Sequence, residues 1–407
     1  MAATAHPSAA DVERARSAVG DVVRHTPVLP SATLTERCGA PVELKAESLQ
    51  RTGSFKIRGA LAKLHALGDD CAPGVVTGSA GNHAQALAAA ARTRGVPCEV
   101  FMPVNAPIAK IEGATALGAQ VRLVGESVDE CVAAARERAA QSGMGFVHPF
   151  DDPDVVAGQG TLGLELLEDV PEMGRIVVPV GGGGLAAGIA IAVKSARPEV
   201  SVVGVEVEVL AACAASLRAG GPVTLEPALS IADGIAVKRP GDLTLALLRD
   251  WVDDIVTVAE DDVAEAMVLL MEKAKLVVEG AGAVGVAALL GGQVAPAERG
   301  TTVVVLSGGN VDAGLLASVA RRHETEAGRR LALLTRVSDR PGSLARLLTL
   351  IGETGANLVE VEHVREGLDL HVRETAVQLV LETRGREHAQ AVRDALAAGG
   401  YEAHDLR

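Results

Sequence analysis

One lysine in this chain stands where a purely structural lysine is hard to explain. It is Lys56, in the run Ser54-Phe55-Lys56-Ile57-Arg58-Gly59-Ala60, preceded by the turn-prone Thr52 and Gly53. Ala60, Leu61, Leu64 and Leu67 then recur at helical spacing, which puts Lys56 in the first turn of a predicted helix with Ser54 as its expected cap. A cation is disfavoured at that end because the helix dipole is positive there. A partly desolvated amine in such a place has a lowered pKa and can form a Schiff base with a carbonyl. Three further stretches hold residue types that such chemistry needs. Gly78-Ser79-Ala80-Gly81-Asn82-His83 puts small residues and amides at the start of a second helix, a place suited to a carboxylate. Gly181-Gly182-Gly183-Gly184-Leu185 follows the strand-like 176–178, and N–H groups without Cβ atoms beside them can converge there on a phosphate. Leu306-Ser307-Gly308-Gly309-Asn310 follows the apolar stretch 301–305 and presents a hydroxyl at a strand end. Taken singly, each stretch has an ordinary reading as a surface lysine, an N-cap, a flexible turn or a turn serine.

The elements around these stretches alternate. Strand signals at 75–76, 98–102 and 121–124 are each followed by helical spacing, at 82–94, 107–117 and 128–140. That alternation predicts βαβ units and a parallel sheet for an inserted block of about 57–150. Gly95, Gly118 and Gly143 fall where helix C-caps belong. Stretches 42–45, 176–180, 202–206 and 302–306 predict a second parallel sheet, with helices at 154–168, 185–196, 243–249, 261–275 and 282–290 around it. Within 42–45, Glu43 and Lys45 alternate with apolar neighbours, as on an exposed strand face. Asp11 is the expected cap of an opening helix over 11–23. Residues 324–330 are polar and aperiodic, as in a linker, and the remainder reads βαββαβ, a ferredoxin-like order. The expected domains are therefore 1–323 with the insertion at 57–150, a linker at 324–330, and a tail at 331–407.

Composition narrows the function classes. Apolar residues make up 48% of the 407, with one Trp, one Tyr and four Phe, so the core must be aliphatic. A formal charge of −14 argues against a nucleic-acid or polybasic membrane surface. The five cysteines, Cys38, Cys71, Cys98, Cys131 and Cys213, show neither a disulfide frame nor metal-ligand spacing, which points to reduced thiols in a cytoplasm. No signal peptide and no membrane span is read.

In this order, the four stretches resemble the serine/threonine dehydratase family of pyridoxal-phosphate enzymes, of the tryptophan-synthase-β-like fold type. The resemblance covers about residues 10–320, and the wording from Ser54 to Ala60 is nearest to that of threonine dehydratases. It implies that Lys56 carries the cofactor and removes the substrate's α-proton, with Phe55 beside it. It places Asn82 on the cofactor's ring hydroxyl, Gly181, Gly182, Gly183, Gly184 and Leu185 around its phosphate, and Ser307 on its pyridine nitrogen. Ser79, Ala80, Gly81, Asn82 and His83 would surround the substrate, with His83 bracing rather than acting as a base. Relatives that racemise serine have a serine where this chain has Ala80, so Ala80 favours elimination. Glu279 stands before a small-residue helix start and faces either the cleft or solvent. Glu206 matches a cation ligand of some relatives, but Ala212 replaces the second acidic ligand, so no metal is expected. The tail, with Asp339-Arg340-Pro341-Gly342, looks like an ACT domain, which implies an amino-acid effector near Asp339, Arg340, Gly342 and Asn357. The implied activity is deamination of L-threonine to 2-oxobutanoate and ammonia by a cytoplasmic homodimer or homotetramer. A serine dehydratase or racemase is the rival enzyme, and an amino-acid sensor with a vestigial catalytic part is the rival from another class.

Overall fold

Helical and strand periods in the first three hundred residues become two parallel sheets in the computed structural model, which describes residues 6–365 and 370–406. The chain opens with α1 (Ala9–Val19), β1 (Val28–Pro30), α2 (Ala32–Cys38), β2 (Val42–Lys45) and α3 (Lys56–Leu67). The inserted block follows as β3 (Val75–Gly78), α4 (Asn82–Arg94), β4 (Cys98–Met102), α5 (Ile108–Ala116), β5 (Gln120–Leu123), α6 (Val128–Ser142) and β6 (Gly145–Phe146). The chain returns through α7 (Pro153–Asp169), β7 (Met173–Pro179), α8 (Gly184–Ala196), β8 (Ser201–Val207) and α9 (Ala212–Ala219). It continues with α10 (Asp242–Trp251), β9 (Asp254–Val258), α11 (Glu260–Leu269), α12 (Gly280–Leu290) and β10 (Thr301–Val305).

The larger sheet has six strands in the order β1-β2-β10-β7-β8-β9, parallel except for the β1 edge. The inserted sheet has four, β5-β4-β3-β6, all parallel. Val, Ile and Ala fill both, as a sequence poor in aromatics requires: Ile176, Val178, Val202 and Val303 are buried in one core, Val75, Val100, Leu87 and Ala90 in the other. Helix α3 lies between them and packs on α7 and α4. The close approach of α3 to α7 depends on Gly158, where a Cβ would stand 2.6 Å from the Gly59 Cα.

Several local expectations give way to tertiary context. Ser8 caps α1, while Asp11 sits at the third helical position and takes the Ser8 N–H at 2.8 Å, a reciprocal capping box. Lys45 does not face solvent. It is fully buried, with its ammonium 2.7 Å from Glu165 and 3.0 Å from Asp169 of α7. The helix expected over 261–275 leaves α geometry after Leu269, continues as a π turn over Leu270–Ala274, and stops at Lys275 with φ of 59°. Gly95 and Gly143 are left-handed C-caps, whereas Gly118 lies one residue past its helix cap, Leu117.

The chain divides into two compact units, Met1–Val311 and Asp312–Arg407. The second contains α13 (Ala313–Glu326), β11 (Arg330–Ser338), α14 (Ser343–Glu353), β12 (Asn357–Val364), β13 (Glu374–Glu382), α15 (Arg386–Ala398) and β14 (Ala403–Asp405). Residues 324–326, expected as linker, complete α13. The four strands pair antiparallel in the order β12-β13-β11-β14, with α14 and α15 burying Leu347, Ile351, Val392 and Leu396 against Leu333, Val377 and Leu379. This is the ferredoxin-like arrangement read from the sequence.

Candidate active site

Four parallel strands release their chains toward one cleft. β2 runs on to Lys56, β3 to residues 79–83, β7 to residues 181–184, and β10 to Ser307 and Asn310. Ligands of open α/β sheets lie outside such carboxyl ends, so the topology alone gathers the four stretches. Phe55, Lys56, Asn82, Gly181, Gly182, Gly183, Gly184, Leu185 and Ser307 all line the cleft, joined by Pro149, Phe150, Gln159, Ile235 and Glu279.

The lysine segment is fastened to the end of β10. The Phe55 N–H donates to the Ser307 carbonyl at 3.1 Å, and the Gly309 N–H to the Gly53 carbonyl at 2.9 Å. Gly53 has φ of 73°, and a Cβ there would fall 2.2 Å from the Asn310 amide oxygen. Ser54 does not cap α3. It is held extended by a bridge to Gly308, the N-cap is Phe55, and the buried Ser54 hydroxyl finds no partner among the described residues. Lys56 Nζ donates to the Pro149 carbonyl at 2.8 Å and lies 5.2 Å from the Phe55 ring centroid. Desolvation lowers its pKa to about 8, against the opposing pull of Glu279. An appreciable fraction of such an amine is neutral near pH 7, as nucleophilic and basic roles require.

Across the cleft, the N–H groups of Gly181, Gly182 and Gly183 donate to no protein acceptor among the described residues, and no side chain caps α8. Phe150 lies against this loop: a Cβ at Gly182 would meet its ring at 2.2 Å. The Phe150 ring meets His148 edge-on, with centroids 4.7 Å apart. His148 is held neutral, its pKa pushed down to about 3 mainly by burial, and its Nδ1 accepts the Asp151 N–H at 2.7 Å. Residues 147–151 thus form a strap over both the lysine and the glycine loop.

In the 79–83 stretch, Asn82 lines the cleft directly. Its Nδ2 donates to Glu279 Oε1 at 2.7 Å, and its Oδ1 accepts from Asn310 Nδ2 at 2.8 Å. Ser79 Oγ accepts the Gly81 N–H at 3.2 Å, Ala80 is part-buried beside it, and α4 starts without a side-chain cap. His83 is buried with Nε2 3.3 Å from the Val147 carbonyl, and burial drives its pKa to about 3, so it braces the strap as a neutral ring. Glu279 is buried in the cleft, where desolvation and then Asp233 raise its pKa to about 7. Glu206 receives the N–H groups of Cys213 and Ala214 at 2.9 and 2.8 Å and so caps α9.

The tail residues do not gather in this way. Gly342 is the left-handed N-cap of α14, near Arg340 in sequence, and Asp339 pairs with Arg365 at 3.0 Å. Asn357 instead donates to Glu382. Ser338 stands opposite Glu374 in the sheet and Asn357 opposite Glu382, which places them about 27 Å apart along β13 at strand rise. Within one chain, a small ligand at Asp339 does not reach Asn357.

Residues 19–308 match the pyridoxal-phosphate dependent enzyme family. The chain belongs to that family. It is 44% identical over 393 residues to the L-threonine ammonia-lyase of Thermotoga maritima, covering 96% of this chain and 98% of that one. It is 47% identical over 380 residues to the L-threonine ammonia-lyase of Geobacter sulfurreducens, covering 93% and 94%. The crystal structure of a threonine deaminase from T.th. superposes with a TM-score of 0.71 at 43% identity, over 75% of this chain and 99% of the other.

The cleft of this pyridoxal-phosphate enzyme fits its cofactor on its own geometry. The unengaged glycine N–H groups at the start of a 13-residue helix suit a phosphate. The desolvated Lys56 amine suits an aldehyde, Phe55 and Phe150 give the site apolar faces, and Ser307 offers a hydroxyl to a ring nitrogen. Sequence reasoning passed over Pro149, Phe150 and Asn310 as site residues. The signal for Pro149 and Phe150 is faint, an aromatic run, Phe146-Val147-His148-Pro149-Phe150, in a chain with four Phe, while Asn310 closes the Leu306-Ser307-Gly308-Gly309-Asn310 stretch without any local mark that it meets Asn82. No helix among the described residues is long and apolar enough to cross a membrane.

Proposed function

We infer that the protein is an L-threonine ammonia-lyase, converting L-threonine to 2-oxobutanoate and ammonia. The observation that carries the cofactor chemistry is the pairing, across one cleft, of a desolvated lysine with a glycine loop whose N–H groups are unengaged, and the L-threonine ammonia-lyases at 44% and 47% identity support the substrate. Pyridoxal phosphate supplies the electron sink that makes the α-proton removable. The residues supply the rest. The glycine N–H groups hold the phosphate, Ser307 meets the ring nitrogen as a neutral hydroxyl, and the uncapped start of α4 receives the substrate carboxylate. Lys56 Nζ, oriented by the Pro149 carbonyl, takes the proton from Cα. The β-hydroxyl leaves as water, and later hydrolysis of the product imine takes up one water and releases ammonia, so no water is gained or lost overall. Ala80 provides no hydroxyl to return a proton on the opposite face, which favours elimination over racemisation. The Asp312–Arg407 unit acts as an amino-acid-responsive regulatory domain in this reading.

The test is keto-acid formation from L-threonine, L-serine and their D-forms by the cofactor-loaded protein. The expected result is the highest kcat/KM for L-threonine, with L-serine slower and the D-forms inert. Racemisation of serine at a rate comparable to elimination would contradict the role given to Ala80.

A further inference from the structure

Asn82 sits in a chain of hydrogen bonds whose two ends both accept. At one end the Thr52 carbonyl, which can only accept, takes the Asn310 amide at 2.7 Å. The same Nδ2 donates its other hydrogen to Asn82 Oδ1 at 2.8 Å. At the other end, Glu279 Oε1 takes the Asn82 amide at 2.7 Å. This sequence of donors fixes which way Asn82 faces. Turning its carboxamide over would put its NH2 against the NH2 of Asn310 and its oxygen against the Glu279 carboxylate. One N–H of Asn82 is then left without a protein partner among the described residues, on a side chain that lines the cleft.

The carboxylate is built in. Glu279 keeps 6% of its surface, and its N–H donates to the Gly308 carbonyl at 3.0 Å. A Cβ at Gly308 would overlap Glu279 Oε1 at 2.2 Å, so the Ser307-Gly308-Gly309 turn makes room for it. Burying a carboxylate is costly unless it is hydrogen-bonded, as this one is by the Asn82 amide, and the acid–base step given above does not use it. Its charged neighbours are Lys56 of α3, Asp233 of the loop beside Gly234, and Lys110 of α5, which is paired to Asp233 at 2.6 Å.

We propose that Glu279, with Asn310, is a positioning residue of the cofactor site: the two clamp the Asn82 carboxamide so that it presents an N–H, and not its oxygen, to the ring oxygen of pyridoxal phosphate. This rests on the cleft being the cofactor site. It adds residues 197 and 228 positions from Asn82 in sequence, neither of which needs to touch the cofactor.

The test uses the full chain, stripped of cofactor and titrated with pyridoxal phosphate, for wild type, Asn82→Ala, Glu279→Leu, Glu279→Gln and the Asn82→Ala/Glu279→Leu pair. The readouts are the dissociation constant and the absorption spectrum of the bound cofactor from pH 6 to 9, with thermal unfolding of each cofactor-free variant. The expected result is that Asn82→Ala and Glu279→Leu each weaken binding about tenfold and displace the spectrum in the same way. The pair is expected to be no weaker than either alone, as for residues acting as one unit. Glu279→Gln keeps an acceptor and should return affinity to within about threefold of wild type. Additive losses, or a Glu279→Leu spectrum identical to wild type with only a lowered melting temperature, would overturn the inference and leave the cofactor site standing. Failure of the wild type to take up pyridoxal phosphate would overturn both.

Discussion

Lys56 Nζ donates to the carbonyl oxygen of Pro149 at 2.8 Å, which ties the reactive amine to a strap that also carries Phe150 onto the glycine loop. The amine is therefore positioned by backbone rather than by a carboxylate, and no ion pair among the described residues neutralises it. Desolvation outweighs the opposing pull of the Glu279 carboxylate and brings its pKa to about 8.

That value gives a pH prediction. Attachment of pyridoxal phosphate to cofactor-free protein needs the neutral amine, which is the minor form below the pKa. The rate of uptake should rise about tenfold per pH unit at low pH and level off above pH ~8. A lysine at its ordinary value of 10.5 would keep rising past pH 10. Stopped-flow absorbance between pH 6 and 10.5 separates the two, and a midpoint above 10 would remove the desolvated amine from the account.

Gly182 is required by Phe150 as well as by the phosphate site proposed for its loop. Gly182→Ala should weaken pyridoxal phosphate binding tenfold or more, because overpacking costs about 1–3 kcal/mol and the new methyl meets the Phe150 ring. Combining it with Phe150→Ala removes the clash and should restore part of the affinity. Unchanged affinity in Gly182→Ala would mean that the ring does not rest on the loop.

Behind α3, Arg58 and Glu47 form a fully buried pair at 2.8 Å, with Glu165 on the other side of the guanidinium at 2.7 Å. Arg58→Ala strands a buried carboxylate and should cost about 3–5 kcal/mol in urea unfolding. Replacing both partners, as Arg58→Met with Glu47→Gln, should cost less than the single change. A loss below about 1 kcal/mol in Arg58→Ala would show that the network is dispensable.

Much of this was legible in the chain and some of it was not, for physical reasons. Period and glycine placement are local, so the strands, most helices and the four cleft-facing stretches could be read directly. The burial of Lys45 could not, because its partners Glu165 and Asp169 lie on α7 and an alternating strand looks the same with or without them. Ser54 has the right type for a cap, but its bridge to Gly308 holds it one residue too early. The side of the cleft that Glu279 faces depends on Asn82 and on the space left by Gly308, and neither leaves a periodic trace.

The second unit makes a separate prediction. A chain ending at Val311 keeps every cleft residue and should turn over threonine, while losing any response to amino-acid effectors. Isoleucine is the expected inhibitor of the full chain, relieved by valine. Asp339 and Asn357 stand at opposite ends of β13, so only one of Asp339→Ala and Asn357→Ala should weaken that inhibition. Threonine saturation curves with and without isoleucine decide this. Inhibition that survives in the shortened chain would place the effector site in the first unit.

Borohydride reduction of the cofactor-loaded protein, followed by digestion and mass analysis, tests the central claim most directly. Reduction fixes the link between lysine and cofactor at whichever side chain carries it. The account predicts one modified peptide, containing Lys56, and no labelling or threonine turnover in Lys56→Ala. Label on any other lysine, or threonine deamination that persists in Lys56→Ala, would contradict it.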